Sequence, residues 1–354
     1  MSFKDLTILI PTHERYLYLH RLLEYFDSTK IKNLKIFILD SSRIELQEKV
    51  ANKNYKNLDI NQIFFDCEIS FWEKVSNGLD SVESEFSVLC ADDDFLIMSG
   101  AMKAMEFLRD NPEYSSCGGR QYNHSIDQKS GLKKYKLNLI YGDNINFYQS
   151  DCPLTRVGEY LKGDHKYISF YQIHTSSHHK KIWNSTKKYV SDFGLAELHP
   201  CAASLILGKI KVLNTAYMSR EPNTYAWVDA ERTKEMYLDS KLQLSADGLS
   251  KLFEDKEYSS IKIFNFYQNY RKVQLAKLNN VIQEEHRKST LKMIKDRLAI
   301  RSRIFSIYFK IIDIAALMRA FRDISSILYL INKHNVPEGL LKKSRQRLYG
   351  NNTN

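Results

Sequence analysis

The sequence predicts an α/β protein built on a parallel, doubly wound sheet, followed by a helical C-terminal extension. Short apolar runs alternate with segments of helical periodicity in the order β-α-β-α-β-α-β, and this alternation predicts the parallel sheet. Three of the runs end in polar or acidic residues. Ligands of such sheets bind beyond the carboxyl ends of the strands, so these residues are expected to share one cleft.

The first half of the sheet is read from three apolar runs. The first strand covers residues 6–10 and is stopped by Pro11. A helix follows, with its apolar residues at helical spacing (Leu19, Leu22, Leu23 and Phe26). The second strand, residues 35–39, leads directly into Asp40, and a weaker third strand covers residues 60–65.

The fourth strand carries the most informative feature of the chain. It covers residues 86–91, after a helix pattern over residues 71–82, and it ends in three consecutive aspartates (Asp92, Asp93 and Asp94). Adjacent buried carboxylates are costly unless positive charge compensates them. Mg²⁺ or Mn²⁺ prefers oxygen ligands and often bridges to a substrate phosphate, so the triplet indicates a metal-assisted phosphate site. A solvated loop, or a cap for a helix starting near Ser99, is the alternative.

The remaining elements are predicted from the same patterns. They are, in chain order, a helix over residues 99–110, a strand over 114–123, a strand-like run at 170–174, a helix that opens within residues 191–200 and stops at Gly208, and a strand over 212–218.

Three segments, taken together in this order and spacing, resemble the GT-A glycosyltransferases of the family-2 type. Residues 8–15 resemble the opening strand and turn of that family, and residues 38–42 its second strand. Residues 90–95 resemble its DXD motif. The resemblance covers residues 5–225 and implies a Rossmann-like, mostly parallel sheet with flanking helices. The chain departs from the family in one place: Asp-Ser-Ser-Arg stands where Asp-Asp-Gly-Ser is usual.

The resemblance implies roles for the residues of these segments. The opening turn supplies donor-binding residues (Pro11, Thr12, Glu14 and Arg15). Asp40 is expected to contact the base or ribose of a nucleotide, Asp92 the ribose, and Asp94 the metal, with Asp92 as a second metal ligand. Asp93 is expected to share either duty. The implied cofactor is Mn²⁺ or Mg²⁺.

The resemblance also implies a general base. Inverting enzymes of this type carry an acidic residue at a helix start, about a hundred residues after the DXD motif, and Glu197 matches that position. Asp192 is the competing candidate. The role requires a carboxylate that accepts the proton of an acceptor hydroxyl. Acidic residues also favour helix N-termini for electrostatic reasons alone, so a purely structural role stays open.

Three further polar residues are candidates for donor contacts. Lys74, on the helix before the triplet, is placed to neutralise a diphosphate, although a surface lysine is the alternative. Asn77 lies where family members place nucleotide-contacting residues. Arg220 follows the last strand; its guanidinium suits bidentate oxygen contact, and an internal ion pair is equally compatible with the sequence.

Composition and charge separate the chain into two parts. The protein has 354 residues and a net charge of +10. Residues 256–354 hold 20 Lys and Arg against 7 Asp and Glu, whereas the rest is nearly neutral. We therefore predict a catalytic domain over residues 1–250, with its nucleotide part at 1–120 and its acceptor part at 121–250, and a basic helical region over 251–354.

The basic region is expected to bind a partner surface rather than to take part in catalysis. An apolar stripe follows its helical spacing (Ile304, Ile307, Ile311, Ile314, Met318, Phe321, Leu328 and Ile331). Docking on the protein's own domain or on a second subunit is the favoured explanation, and binding to an anionic membrane surface is the second. No nucleic-acid-binding motif accompanies the charge. The longest charge-free stretch, residues 324–332, is far shorter than a bilayer span.

The motifs, together with the family resemblance, imply a metal-dependent, inverting glycosyltransferase for polysaccharide biosynthesis. It would move a sugar from a nucleotide donor, with UDP favoured, to a glycan or lipid-linked glycan. A sugar-nucleotide nucleotidyltransferase and a non-catalytic scaffold remain the alternatives. The five cysteines contain no Cys-x-x-Cys pair, and the N-terminus lacks a signal-peptide pattern. The expected location is the cytoplasm, peripheral at the inner face of the membrane.

Overall fold

The computed structural model describes residues 2–43, 54–127, 134–141, 148–162, 169–192, 194–221, 238–253, 260–276, 326–327 and 329–330. Its strands are β1 (Leu6–Thr12), β2 (Leu34–Asp40), β3 (Leu58–Phe64), β4 (Phe86–Leu89), β5 (Phe95–Leu96), β6 (Tyr114–Asp127), β7 (Lys134–Tyr141), β8 (Ile173–Thr175) and β9 (Lys209–Arg220).

Helices pack on this sheet. They are α1 (Tyr16–Ser28), α2 (Phe71–Asp80), α3 (Met98–Asp110), α4 (Pro153–Tyr160), α5 (Ser176–Tyr189), α6 (Leu195–Leu207) and α7 (Asp239–Ser250). Two short 3₁₀ helices cover Phe3–Asp5 and Ser169–Tyr171. Residues 260–276 are also helical.

The described strands form one sheet in the order β3-β2-β1-β4-β8-β6-β9-β5, with β7 paired to β6. Strands β1 to β4 run parallel, and β6 and β9 run parallel to each other. Strand β8 lies between these groups and is antiparallel to both β4 and β6, so the groups share one direction. The predicted α/β fold, with a mostly parallel sheet and flanking helices, is confirmed.

Two apolar layers cover the two faces of the sheet, because successive side chains of a strand point to opposite faces. In β1, Ile8 and Ile10 join the layer formed with α1 and α3, whereas Leu9 joins the layer formed with α2, α5 and α6. The predicted apolar side of α1 is confirmed, since Leu19, Leu22, Leu23 and Phe26 are at most 1% exposed. This two-sided burial explains why the parallel strands read as continuous apolar runs.

The segment after β8 departs from the prediction. The sequence around residues 178–181 predicts a solvated loop or an acceptor-facing patch, but residues 176–189 form α5. His179 is 1% exposed and pairs with Ser87 of β4 at 2.8 Å. His179, Ile182 and Trp183 share the buried side of this helix. The lysines between them lie on its outer side and interrupt the apolar pattern, so the sequence shows no clear helical spacing here.

Part of the basic C-terminal region packs on the protein's own core. Ile263 and Tyr267 are fully buried among residues of α5, α6 and α7. Ile327 and Leu330 are 1% and 4% exposed and belong to the layer that covers α1 and α3. The predicted stripe residues from Ile304 to Phe321, with Leu328 and Ile331, lie outside the described residues. The predicted domain boundary near residue 250 stays a prediction.

This docking gives a testable expectation for stability. We expect Ile327→Ala to lower the free energy of unfolding by about 2–4 kcal/mol, because it removes buried apolar contacts and leaves a cavity. Tyr329→Ala is the matched control: Tyr329 is 65% exposed, and we expect a change within about 0.5 kcal/mol. Chemical denaturation of both variants checks this. Equal, small effects would mean that the segment does not dock on the core in solution.

The described helices include none with the length and apolar content needed to cross a bilayer.

Candidate active site

The sheet brings the sequence-predicted motifs to one edge. Thr12 and Asp40 are register partners at the carboxyl ends of β1 and β2, and the triplet follows β4 on the other side of β1. The hydroxyl of Thr12 donates to Oδ2 of Asp92 at 2.8 Å. Arg220 ends β9, which runs in the same direction as β1. The three motifs predicted to share one cleft therefore do lie together.

Arg15 holds two of the three aspartates. Its guanidinium lies 3.3 Å from Oδ1 of Asp92 and 2.5 Å from Oδ2 of Asp93. The position of Arg15 is fixed because it immediately precedes α1, and its guanidinium also packs over the ring of Tyr18. Asp92 is 3% exposed, whereas the side chain of Asp93 keeps 13% of its surface open. Asp93 is therefore the member of the triplet most accessible to a ligand.

The third aspartate is held from the opposite side. Oδ2 of Asp94 accepts from Nε of Arg220 at 3.0 Å, and Oδ1 accepts from the backbone N–H of Glu221, also at 3.0 Å. The guanidinium of Arg220 in turn lies 4.7 Å from the centre of the Tyr171 ring. Of the two alternatives for Arg220, the structure contains the ion pair, and the pair is with the triplet itself.

A third arginine, which the sequence reasoning missed, links the triplet to Glu221. Arg21 of α1 is 2% exposed and donates to the backbone oxygen of Asp93 and to Oε2 of Glu221, at 3.1 and 2.6 Å. Nε2 of His124 lies 3.8 Å from the same Glu221 carboxylate. The sequence did contain a signal for this role, because Arg21 lies on the apolar side of a predicted helix. A buried arginine needs an acidic partner, so its position indicates a buried ion pair.

Lys74 lies under the site rather than on the surface. Lys74 is 4% exposed, and its ammonium donates to the backbone oxygen of Thr12 and to Oγ of Ser41, both at 2.9 Å. Burial lowers the pKa of Lys74 to about 8, against the opposing charges of Asp92 and Asp40. The surface alternative for Lys74 is therefore wrong, and its charge compensates these two aspartates from below.

Asp40 is likewise buried beneath the site, at the end of β2. It is 2% exposed, and its two oxygens accept from the backbone N–H of Ser42 and from Nε2 of Gln62, each at 2.8 Å. These bonds fix the carboxylate at the end of β2. Ser41 and Ser42 hold the neighbouring turn in the same way, since Oγ of Ser42 accepts from the N–H of Glu14 at 2.7 Å.

Two predicted donor contacts face elsewhere. The carboxylate of Glu14 is paired with Arg43 through two bonds of 3.0 and 2.9 Å. Oδ1 of Asn77 accepts from Lys187 of α5 at 2.7 Å, so this amide bridges two helices instead of entering the cleft. The reason is the orientation of α2: Lys74 points to the strand ends, and Asn77, nearly one turn later, points to α5. Pro11 remains in β1, partly exposed.

The charges at the site nearly balance. Burial raises the pKa of Asp92 to about 6 and that of Asp94 to about 7, while Arg15 and Arg220 respectively oppose the shift. Among the described residues, the acidic groups are compensated by nearby cations: Asp40, Asp92, Asp93, Asp94 and Glu221 by Arg15, Arg21, Lys74 and Arg220.

The carboxylates of the triplet are compatible with a divalent cation that takes only one or two of its ligands from the protein. Within the described residues, no group of three or more His, Cys, Asp or Glu side chains is arranged to hold a metal ion. Asp92 and Asp94 offer hard oxygen atoms, and each carboxylate oxygen has two lone pairs, of which the bonds described above use only part. Mg²⁺ characteristically binds through one or two carboxylates and completes its shell with substrate phosphates and water.

The two candidates for the general base differ in their surroundings. Solvent reaches the side chain of Glu197, in the first turn of α6, although its neighbours Ala196 and Leu198 are buried. Surrounding protein nevertheless raises the pKa of Glu197, and Arg220 opposes the shift. Glu197 is therefore an exposed carboxyl within electrostatic reach of Arg220.

Asp192 is already engaged. Its Oδ2 pairs with Lys241 of α7 at 3.0 Å, and its Oδ1 accepts from the N–H of Gly194, also at 3.0 Å. These bonds organise the start of α6. The arrangement favours Glu197 over Asp192 as the group available to a substrate.

Tyr171 is the second residue that the sequence reasoning missed. Its pKa is raised well above the ordinary value by burial, and the charges that act on it include Arg220, Asp94 and Glu197. The Tyr171 ring packs against Arg220, the partner of Asp94. The 3₁₀ helix that ends at Tyr171 packs on α6, the helix of Glu197. The sequence signal was weak, because an aromatic pair such as Phe170-Tyr171 before a short strand is typical of the hydrophobic core.

No family model matches the chain, and no curated protein matches it. Among solved structures it is similar to crystal structures of S. aureus TarS 1–349, alone (14% identity, 92% of this chain and 81% of that chain, TM-score 0.47) and in complex with UDP-GlcNAc (13%, 91% and 81%, 0.48) or with UDP (14%, 96% and 82%, 0.42). With TM-scores below 0.5, the fold assignment rests on the strand order and pairing of the chain itself.

Proposed function

We propose that the chain is a GT-A-type glycosyltransferase that moves a sugar from a nucleotide-diphosphate donor, with UDP favoured, to a hydroxyl of a glycan or lipid-linked glycan. The observation that carries this proposal is the aspartate triplet, held by Arg15 and Arg220 at the strand ends that also position Asp40. A sugar-nucleotide site needs cations and hard oxygen ligands beside a nucleoside pocket, and this edge of the sheet offers both kinds of group.

The donor would lie across the carboxyl ends of β2, β1 and β4. Asp40 and Asp92 are the proposed contacts to the nucleoside, and the turn from Thr12 to Arg15 borders the same cleft. A divalent cation, Mn²⁺ or Mg²⁺, held by Asp94 and Asp92, would supply Lewis-acid stabilisation to the leaving diphosphate when bound. Arg15, Arg220 and Lys74 keep this floor charge-balanced, so that a diphosphate meets little repulsion.

Glu197 is the proposed general base of an inverting transfer. Its carboxylate would accept the proton of the acceptor hydroxyl while that oxygen attacks the anomeric carbon. The bond between the anomeric carbon and the donor phosphate oxygen breaks in the same step, and the nucleoside diphosphate leaves. The raised pKa of Glu197 increases its affinity for the proton that it has to accept.

The two alternatives are separable. A nucleotidyltransferase on this kind of sheet needs a Gly-rich phosphate loop after its first strand, and residues 11–15 contain no glycine. A non-catalytic scaffold would bind the nucleotide without releasing it from its sugar. We further propose a cytoplasmic location, peripheral at an anionic membrane surface through the basic residues of 256–354, and leave self-association through the same region as an additional proposal.

A thermal-shift screen tests the donor class. UDP-, GDP-, CMP- and dTDP-sugars are compared with and without Mn²⁺. We expect one UDP-sugar to raise the melting temperature most, and only with metal; at 100 times its Kd it should add about 2.7 kcal/mol of stability. Nucleotide release from that donor then distinguishes an enzyme from a scaffold. Stabilisation by nucleoside triphosphates and sugar phosphates instead would favour the nucleotidyltransferase.

A further inference from the structure

Tyr171 occupies a position that the proposed chemistry does not yet use. The short 3₁₀ helix Ser169–Tyr171 leads into β8, which is antiparallel to β4 with His174 opposite Ser87. Moving backwards along the chain from His174 therefore follows β4 forwards, towards the triplet. This topology places Tyr171 beside the end of the strand that carries Asp92 to Asp94.

The ring of Tyr171 is held from three directions. The guanidinium of Arg220 lies 4.7 Å from the ring centre, and Phe170 packs edge-on at 4.9 Å. The hydroxyl of Tyr217 donates to the backbone oxygen of Tyr171 at 2.8 Å. These contacts fix the ring without engaging its own hydroxyl, for which the described residues provide no hydrogen-bond partner. Tyr171 also keeps part of its surface open to solvent.

The position of Tyr171 defines what its hydroxyl would meet. The ring of Tyr171 lies against Arg220, which pairs with Asp94 at the proposed diphosphate end. The 3₁₀ helix that ends at Tyr171 packs on α6, whose first turn carries Glu197, the proposed base. In an inverting transfer, the base and the leaving diphosphate stand on opposite faces of the anomeric carbon. The transferred sugar therefore lies between the base and the diphosphate.

We propose that Tyr171 contacts the transferred sugar, with its phenolic hydroxyl hydrogen-bonded to a sugar hydroxyl. This inference rests on the proposed function and extends it to a residue that selects the sugar rather than the nucleotide. The phenol remains protonated throughout the working pH range, because burial and the nearby carboxylates raise its pKa. It is therefore a constant donor, and the fixed ring gives the bond a defined direction.

Tyr171→Phe tests this inference, because it removes the hydroxyl and keeps the ring over Arg220. Tyr114→Phe is the matched control: the Tyr114 hydroxyl bonds Gln149 at the amino-terminal end of β6, away from the triplet. Calorimetry measures the Kd for UDP and for whichever of UDP-glucose, UDP-galactose and UDP-N-acetylglucosamine the wild-type protein binds most tightly. Nucleotide release from that donor gives kcat and KM.

We expect Tyr171→Phe to leave the Kd for UDP within about twofold and to lower kcat/KM for the UDP-sugar about tenfold, the effect of one lost hydrogen bond. The control should change neither. Unchanged kcat/KM would overturn the inference, as would equal weakening of UDP and UDP-sugar, which would place Tyr171 at the diphosphate. A wild-type protein that binds none of these nucleotides would overturn the proposed function, and this inference with it.

Discussion

Asp94→Asn is expected to abolish sugar transfer and to remove the Mn²⁺ dependence of UDP binding. Asparagine keeps the size of the side chain and an oxygen for the N–H of Glu221, but it lacks the charge that a divalent cation requires. Activity should fall by about 10²–10³-fold or more, on the order of the loss seen when a transition-state charge loses its stabilisation. The variant is measured by nucleotide release and by UDP titration, each with and without Mn²⁺.

The fold should survive this substitution. Because burial raises the pKa of Asp94 to about 7, the folded protein binds more protons than the unfolded chain between the ordinary carboxyl pKa and pH 7. The charged form of Asp94 therefore costs stability as the pH rises through this window, and a neutral amide avoids that cost. Asp59→Asn, an exposed position in β3, is the control. Full metal-dependent activity of Asp94→Asn would refute the DXD assignment.

Glu197→Gln is expected to reduce kcat by about 10²-fold or more while leaving the Kd for the donor unchanged. Glutamine preserves the shape but cannot take the acceptor's proton. The pH dependence gives a second readout. Since the pKa of Glu197 is raised, wild-type kcat should fall as the pH decreases through that raised value, and the residual activity of the Gln variant should lack this acidic limb.

Asp192→Asn separates the two candidate bases. Asp192 is paired with Lys241, so its loss should loosen the start of α6 and lower the melting temperature, with a much smaller effect on kcat than Glu197→Gln. If Asp192→Asn instead shows the greater loss of kcat and of the acidic limb, Asp192 is the base. Normal turnover in both variants would argue against an inverting mechanism that uses either carboxylate.

The local patterns of the chain were sufficient to predict the sheet and the place of the site. Strands β1, β2 and β4 are largely buried on both faces, so their apolar runs are nearly continuous. Strands β1 and β2 end at the polar residues Thr12 and Asp40, and Asp92 follows shortly after β4. Because parallel strands bring their carboxyl ends to one edge, the convergence of these residues followed from topology alone.

What the sequence could not provide were the long-range partners. Arg220 reaches Asp94 across 126 positions, and Arg21 reaches Glu221 across 200. Such pairs leave no periodic signal. The burial of Lys74 has the same origin, because the neighbouring strand ends and not the helix pattern determine where its ammonium lies. For α5, lysines outnumber the apolar residues that face inwards, and the buried His179 supplies part of the packed side.

Calorimetric titration of UDP into the wild-type protein, with and without Mn²⁺, tests the central claim most directly. The cleft at the ends of β1, β2 and β4 predicts saturable binding at one site per chain that requires the metal and is lost in Asp94→Asn. Absence of saturable binding for UDP and for the other nucleoside diphosphates, with the protein folded and Mn²⁺ present, would contradict the assignment of this cleft as a nucleotide-sugar site.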